Sequence, residues 1–92
     1  MTEKNLSKKV MAYLKGREDL HPILISPGPF GGRGISDILV CKAGRFVAIE
    51  LKVGKNTTTK LQERFIKKIK LHGGDAFVCR SMVDVIECLN QC

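Results

Sequence analysis

Three polar residues, Asp37, Glu50 and Lys52, lie on either side of one short turn in this chain. Two carboxylates beside a lysine suit a hard divalent cation, and the chemistry they offer is metal-assisted hydrolysis of a phosphodiester. The carboxylates supply oxygen ligands, and the ammonium orients the attacking water or offsets negative charge as it develops. A Glu-x-Lys triplet alone arises often by chance, since about a quarter of ordinary sequence is charged. Here two charges interrupt an otherwise apolar strand and a third stands across the turn. The competing structural reading is a salt bridge on an edge strand, where charges discourage association between sheets.

The constellation depends on a hairpin. Residues 38–41 and 46–53 are apolar and β-branched enough to read as strands, with Lys42-Ala43-Gly44-Arg45 between them as the turn. A two-residue loop at Ala43-Gly44, or a four-residue loop over 42–45, sets Asp37 opposite Glu50. Directly opposed Cβ atoms lie roughly 4.5–5.5 Å apart, so both carboxylates reach one cation. Lys52 follows on the same face. Leu51 points to the other layer with Val47, Ile49 and Val53, while its carbonyl remains a candidate metal ligand. An odd loop would shift the register and undo the alignment.

The remaining elements read as helix, strand, glycine-rich loop, hairpin, helix, strand, helix. Thr2 caps a first helix whose apolar stripe is Leu6, Val10, Tyr13 and Leu14 and which ends at Gly16. Glu3 falls on that inward stripe, although a carboxylate in a first helical turn is also favoured by the helix dipole. Residues 21–26 form a strand, leading into Pro27-Gly28-Pro29-Phe30-Gly31-Gly32-Arg33-Gly34. No G-K-[ST] follows and the next element is a strand, which argues against a nucleotide-binding P-loop and against a nucleotide cofactor. The loop reads either as a mobile surface turn or as a close approach to a nucleic-acid backbone, with Arg33, just before Asp37, forking onto a phosphate.

Thr59 and Gln62 have capping-box spacing and open a second helix that Gly73-Gly74 ends. Its apolar face is Leu61, Phe65, Ile66 and Ile69. Lys60, Arg64, Lys67, Lys68 and Lys70 occupy the rest and, with Lys55 in the preceding loop, read either as a phosphate track or as an ordinary solvated face, with only Glu63 to offset the five helix cations. Residues 76–79 are a short strand, and Ser81 caps a last helix with Val85, Ile86 and Leu89 inward. His21 and His72 stand apart and read as surface residues.

A chain of 92 residues implies one small domain over 1–92, helped by oligomerisation. The net charge of +7 favours a polyanionic partner, nucleic acid first and acidic membrane second. No apolar run approaches the ~20 residues of a membrane span, and the polar start does not resemble a secretory signal, so no membrane association and a cytoplasmic location are expected. Cys41, Cys79, Cys88 and Cys92 lack zinc-ligand spacing and are expected to be reduced thiols.

Gly-Ile-Ser-Asp37, Glu50-Leu51-Lys52 and Gln62 at a helix start, after a helix bearing Glu3, together resemble the virus-type replication-repair nuclease (VRR-NUC) family of the PD-(D/E)xK superfamily. The resemblance spans nearly the whole chain and implies an αβββαβα core, an α/β fold with a central mixed sheet flanked by helices. It further implies that Asp37, Glu50 and the Leu51 carbonyl bind Mg²⁺ or Mn²⁺, that Lys52 assists the attacking water, and that Gln62 and Glu3 support the site. Ser36 stands where the family usually has proline, at a position that ligates nothing. The implied activity is that of a stand-alone, phage-type homodimeric endonuclease acting on branched DNA such as four-way (Holliday) junctions, resident in host cytoplasm if phage-encoded. The alternatives are an inactive nucleic-acid-binding module of the same fold and a nuclease acting on linear DNA ends.

Overall fold

Ala43 and Gly44 set the frame of the sheet. Both have positive φ, 48° and 86°, the pattern of a two-residue turn whose twist matches that of the strands it joins. The strands on either side, β2 (Ile38–Lys42) and β3 (Arg45–Leu51), pair antiparallel from Lys42 opposite Arg45 to Ile38 opposite Ile49. This is the expected even-loop register. The computed structural model describes residues 1–25 and 36–92.

A first helix, α1 (Glu3–Lys15), precedes β1 (Leu20–Leu24), and β3 is followed by α2 (Lys60–Leu71), β4 (Asp75–Cys79) and α3 (Met82–Gln91). The order is αβββαβα. The four strands form one mixed sheet in the order β1-β2-β3-β4, antiparallel except for β3 and β4, which run parallel across the α2 connection. Pro22 is tolerated because β1 is an edge strand, where a missing N–H costs no ladder bond. Strand β3 is interior and is buried on both faces from Val47 to Leu51. The edge-strand account of Glu50 and Lys52 therefore fails, because no edge is there to protect.

Helices α1 and α3 cover one face. Leu6, Val10 and Leu14 of α1 and Val85 and Leu89 of α3 join Ile38, Val40, Val47, Ile49 and Leu51 in a single core. Helix α2 packs against β4 without a fully buried residue, with Phe65, Ile66 and Ile69 half-buried. Each helix starts where a side chain accepts an otherwise unpaired N–H: Thr2 from Asn5, Thr59 from Gln62 and Ser81 from Asp84. Lys42 closes the far end of α3 by donating to the carbonyls of Leu89 and Cys92.

Strand ends differ from expectation by one or two residues. Strand β1 spans residues 20–24, starting one residue earlier than expected and leaving out Ile25, while Ser26 lies outside the described residues. Strand β3 ends at Leu51 rather than residue 53, because the chain turns at Gly54 (φ 59°) and the Val53 carbonyl accepts the Asn56 N–H. Among the described residues, no helix is long and apolar enough to cross a membrane.

Candidate active site

The site lies where β3 leaves the sheet. Continuing the register one step past Ile38 and Ile49 puts Asp37 opposite Glu50, and Asp37 Oδ2 accepts the Leu51 N–H at 2.8 Å. In extended backbone a residue's N–H and C=O face the same neighbour, so the Leu51 carbonyl leaves the strand on the Asp37 side. Glu50 is only 1% exposed and Lys52 9%, both on the face opposite the Leu51 side chain. Ser36, immediately before Asp37 in this part of the fold, is also buried.

Burial is the main reason the Glu50 carboxyl is pushed up from 4.5 to about 8, followed by the charge of Asp37 and a hydrogen bond with it; Lys52 opposes the rise and Glu3 adds to it. A buried carboxylate beside a second one is only partly compensated by Lys52, and a cation between the two would reverse the remaining cost. Among the described residues no group of three or more His, Cys, Asp or Glu forms a metal cluster. The oxygen donors are two carboxylates and one main-chain carbonyl. That set suits Mg²⁺ or Mn²⁺, which keep water and phosphate oxygens as their other ligands.

Gln62 serves two ends at once. Its backbone N–H and Oε1 complete the capping box with Thr59, while Nε2 donates to Glu50 Oε1 at 3.0 Å and Oε2 at 3.4 Å. The helix start thereby holds the carboxylate. Gln62→Ala is expected to cost about 1 kcal/mol of stability through the cap and roughly 10–100-fold in metal affinity. Gln62→Glu should keep the cap, since Glu serves equally at that position, yet lose metal affinity because the Nε2 donor that holds Glu50 is gone. Denaturant melts and Mn²⁺ titration of both variants separate the two roles; normal Mn²⁺ affinity in both would reduce Gln62 to a cap.

Glu3 reaches the site through a contact that sequence reasoning missed. Its Oε2 accepts from Asn56 Nδ2 at 2.8 Å, and Arg80 holds the same loop by donating to the carbonyls of Gly54 at 3.2 Å and Asn56 at 2.8 Å. Leu51 pairs with Cys79, so Arg80 emerges from β4 beside Lys52. No motif links these positions. The available signal is an arginine ending the strand parallel to the one that bears Glu50.

No protein-family model matches the chain, and no curated protein matches it. Among solved structures it matches a chain described as a VRR_NUC domain protein, with a TM-score of 0.78, 23% identity, and coverage of 99% of this chain and 87% of that one. It has the VRR_NUC fold.

On this VRR_NUC fold the basic residues divide. Lys60, Arg64 and Lys67 line a groove of about 640 Å³ with Glu63 and Val78. Lys68 lines a separate depression with Phe46 and Phe65. A helical face wide enough for five cations wraps past the groove it borders. Lys55 is exposed in the loop after β3. Arg33 lies outside the described residues.

Proposed function

We propose that the chain is a metal-dependent DNA endonuclease, with Asp37, Glu50 and the Leu51 carbonyl as metal ligands and Lys52 as the catalytic lysine. The observation carrying this reading is the buried Glu50 opposite the half-buried Asp37 at the end of β3, with Lys52 beside them. When bound, Mg²⁺ or Mn²⁺ would lower the pKa of a bound water and polarise the phosphate. Lys52 orients the incoming water and offsets charge on the phosphate oxygens as they become more negative. Gln62 and Glu3 act as positioning residues, Gln62 by holding Glu50 and Glu3 by adding negative charge near it. The net charge of +7 supports DNA as the partner. Labelled linear, flap and four-way DNAs incubated with Mn²⁺ or with chelator test the reading. Metal-dependent cuts, most efficient on branched DNA, are expected; binding without cleavage in any metal would leave a binding module, and preferential cutting at linear ends would remove the branched substrate.

The groove lined by Lys60, Arg64 and Lys67 is proposed to hold phosphates, releasing counterions without reading bases. Replacing Lys60 and Arg64 by Ala should weaken binding to all DNA sequences and lower the slope of log affinity against log salt by about 2, near one per contact. An unchanged slope would return this face to ordinary solvated charge.

The proposal includes a homodimer, because one site cannot reach both strands of a symmetric junction. An exposed apolar sheet face supports it: Ile23 is 48% and Phe46 44% exposed, and Cys41, cross-strand neighbour of Phe46, is exposed as well. Light scattering at micromolar concentration should give twice the chain mass. A monomeric mass with and without junction DNA would remove both the dimer and paired cutting.

A further inference from the structure

We infer that the cleft between the start of α1 and the end of β1 receives one unpaired nucleotide of the DNA, its phosphate on Lys4 and Lys8 and its base against Leu24 and Ile25. The inference rests on the nuclease reading above and adds to it the feature of DNA that the site selects. The cleft has a volume of about 460 Å³, within the usual range of small-ligand sites. Its walls differ in chemistry. Lys4 and Lys8 line one side, one helical turn apart and therefore stacked on the same face of α1, with the Ser7 hydroxyl beside them.

The opposite wall is apolar. Leu24 pairs with Ile38 and is 50% exposed, although its partner is wholly buried in the core beneath α1. The Ile25 N–H donates to the Asp37 carbonyl at 2.9 Å, so this wall runs one strand spacing, about 4.8 Å, from the candidate metal ligand. Asp37 and Leu51 close the cleft at that end, together with Glu3. Those carboxylates repel a phosphate and leave the lysine side as the place for an anion.

A base reaches the Leu24–Ile25 wall only after leaving its stack. That is costly for a paired base and least so for one already unpaired. The cleft thus favours nucleotides at a branch point by shape, and its aliphatic wall offers no hydrogen-bonding pattern to distinguish one base from another.

The test is a scan of 2-aminopurine through the positions flanking the branch of a flap DNA, which carries unpaired nucleotides there, bound with Ca²⁺ in place of Mg²⁺. Fluorescence should rise at one unpaired position with the wild-type chain, as that base leaves its stack. The rise should vanish in Leu24→Ala, return in Leu24→Met, and persist at saturating protein in the Lys4→Ala/Lys8→Ala variant, whose Kd for DNA should be about tenfold weaker at 0.1 M salt. Circular dichroism checks that each variant folds, and Leu24→Lys, at a half-exposed position, provides a second block of the wall. No rise at any position, or a rise undiminished in the folded Leu24 variants, overturns the cleft. A rise that behaves as stated in a chain that cuts no DNA with Mn²⁺ would overturn the nuclease reading and leave the cleft standing.

Discussion

Glu50→Gln is expected to abolish cleavage, by about a thousandfold or more through loss of a charged metal ligand, while leaving the chain as stable as before or more so. Both parts follow from one fact. The Glu50 carboxyl is buried beside Asp37 and is held at about 8 instead of 4.5. Between those values the folded, metal-free chain retains a proton that the unfolded chain has lost, so raising the pH through this window lowers stability. Glutamine keeps the shape and an acceptor for Gln62 and bears no charge to desolvate, so the metal-free variant should lack that loss. Chelator-treated wild type should therefore melt at progressively lower temperature from about pH 5 to about pH 8, with Glu50→Gln much flatter. Asp37→Asn should likewise lose cleavage while keeping an acceptor for the Leu51 N–H. The matching Ala variant would leave that amide without its partner, at about 1–3 kcal/mol. Either isosteric variant cutting DNA at the wild-type rate would end the assignment.

The second large effect is expected at Lys52. It lies on the Glu50 face and is nearly buried, and its positive charge opposes the rise at Glu50. Lys52→Met keeps much of the aliphatic stem and removes the ammonium. Single-turnover cleavage should fall about 10²–10³-fold, the usual cost of removing one preorganised group from a developing oxyanion, with Mn²⁺ affinity by calorimetry within about threefold of wild type, since lysine donates no ligand. Lys52→Arg should not restore the rate, because a planar guanidinium cannot occupy the place of a compact ammonium. Normal turnover with weakened Mn²⁺ binding would contradict the proposed role.

Much of the frame was legible because it is local. Ala43-Gly44 is a two-residue turn with both φ positive, and turn length sets register; register and side-chain alternation then bring Asp37 opposite Glu50 with Lys52 on the same face. Thr2, Thr59 and Ser81 are caps whose bonds span three residues, a distance visible in the chain itself. Boundaries were less legible. Whether β3 ends at Leu51 or runs two residues further depends on the turn at Gly54 and on the partner strand, which no window around residue 52 contains.

By itself, then, the sequence determined the αβββαβα order, the hairpin register and the residue types converging at its open end. Turn geometry, capping and alternation act over a few residues and need no partner from elsewhere. Tertiary structure decided what surrounds that pair. The α2 connection places β4 parallel to β3, making the Glu50 strand interior and burying it on both faces, the Glu50 carboxylate included. The same packing lets Gln62 reach from its cap to Glu50, and it brings Arg80, Asn56 and Glu3 into one chain of contacts across long sequence separations. It also turns Lys68 away from the groove of Lys60, Arg64 and Lys67. These features arise from long-range packing, in which many contacts choose one arrangement together, so a residue's neighbours along the chain do not reveal its neighbours in space.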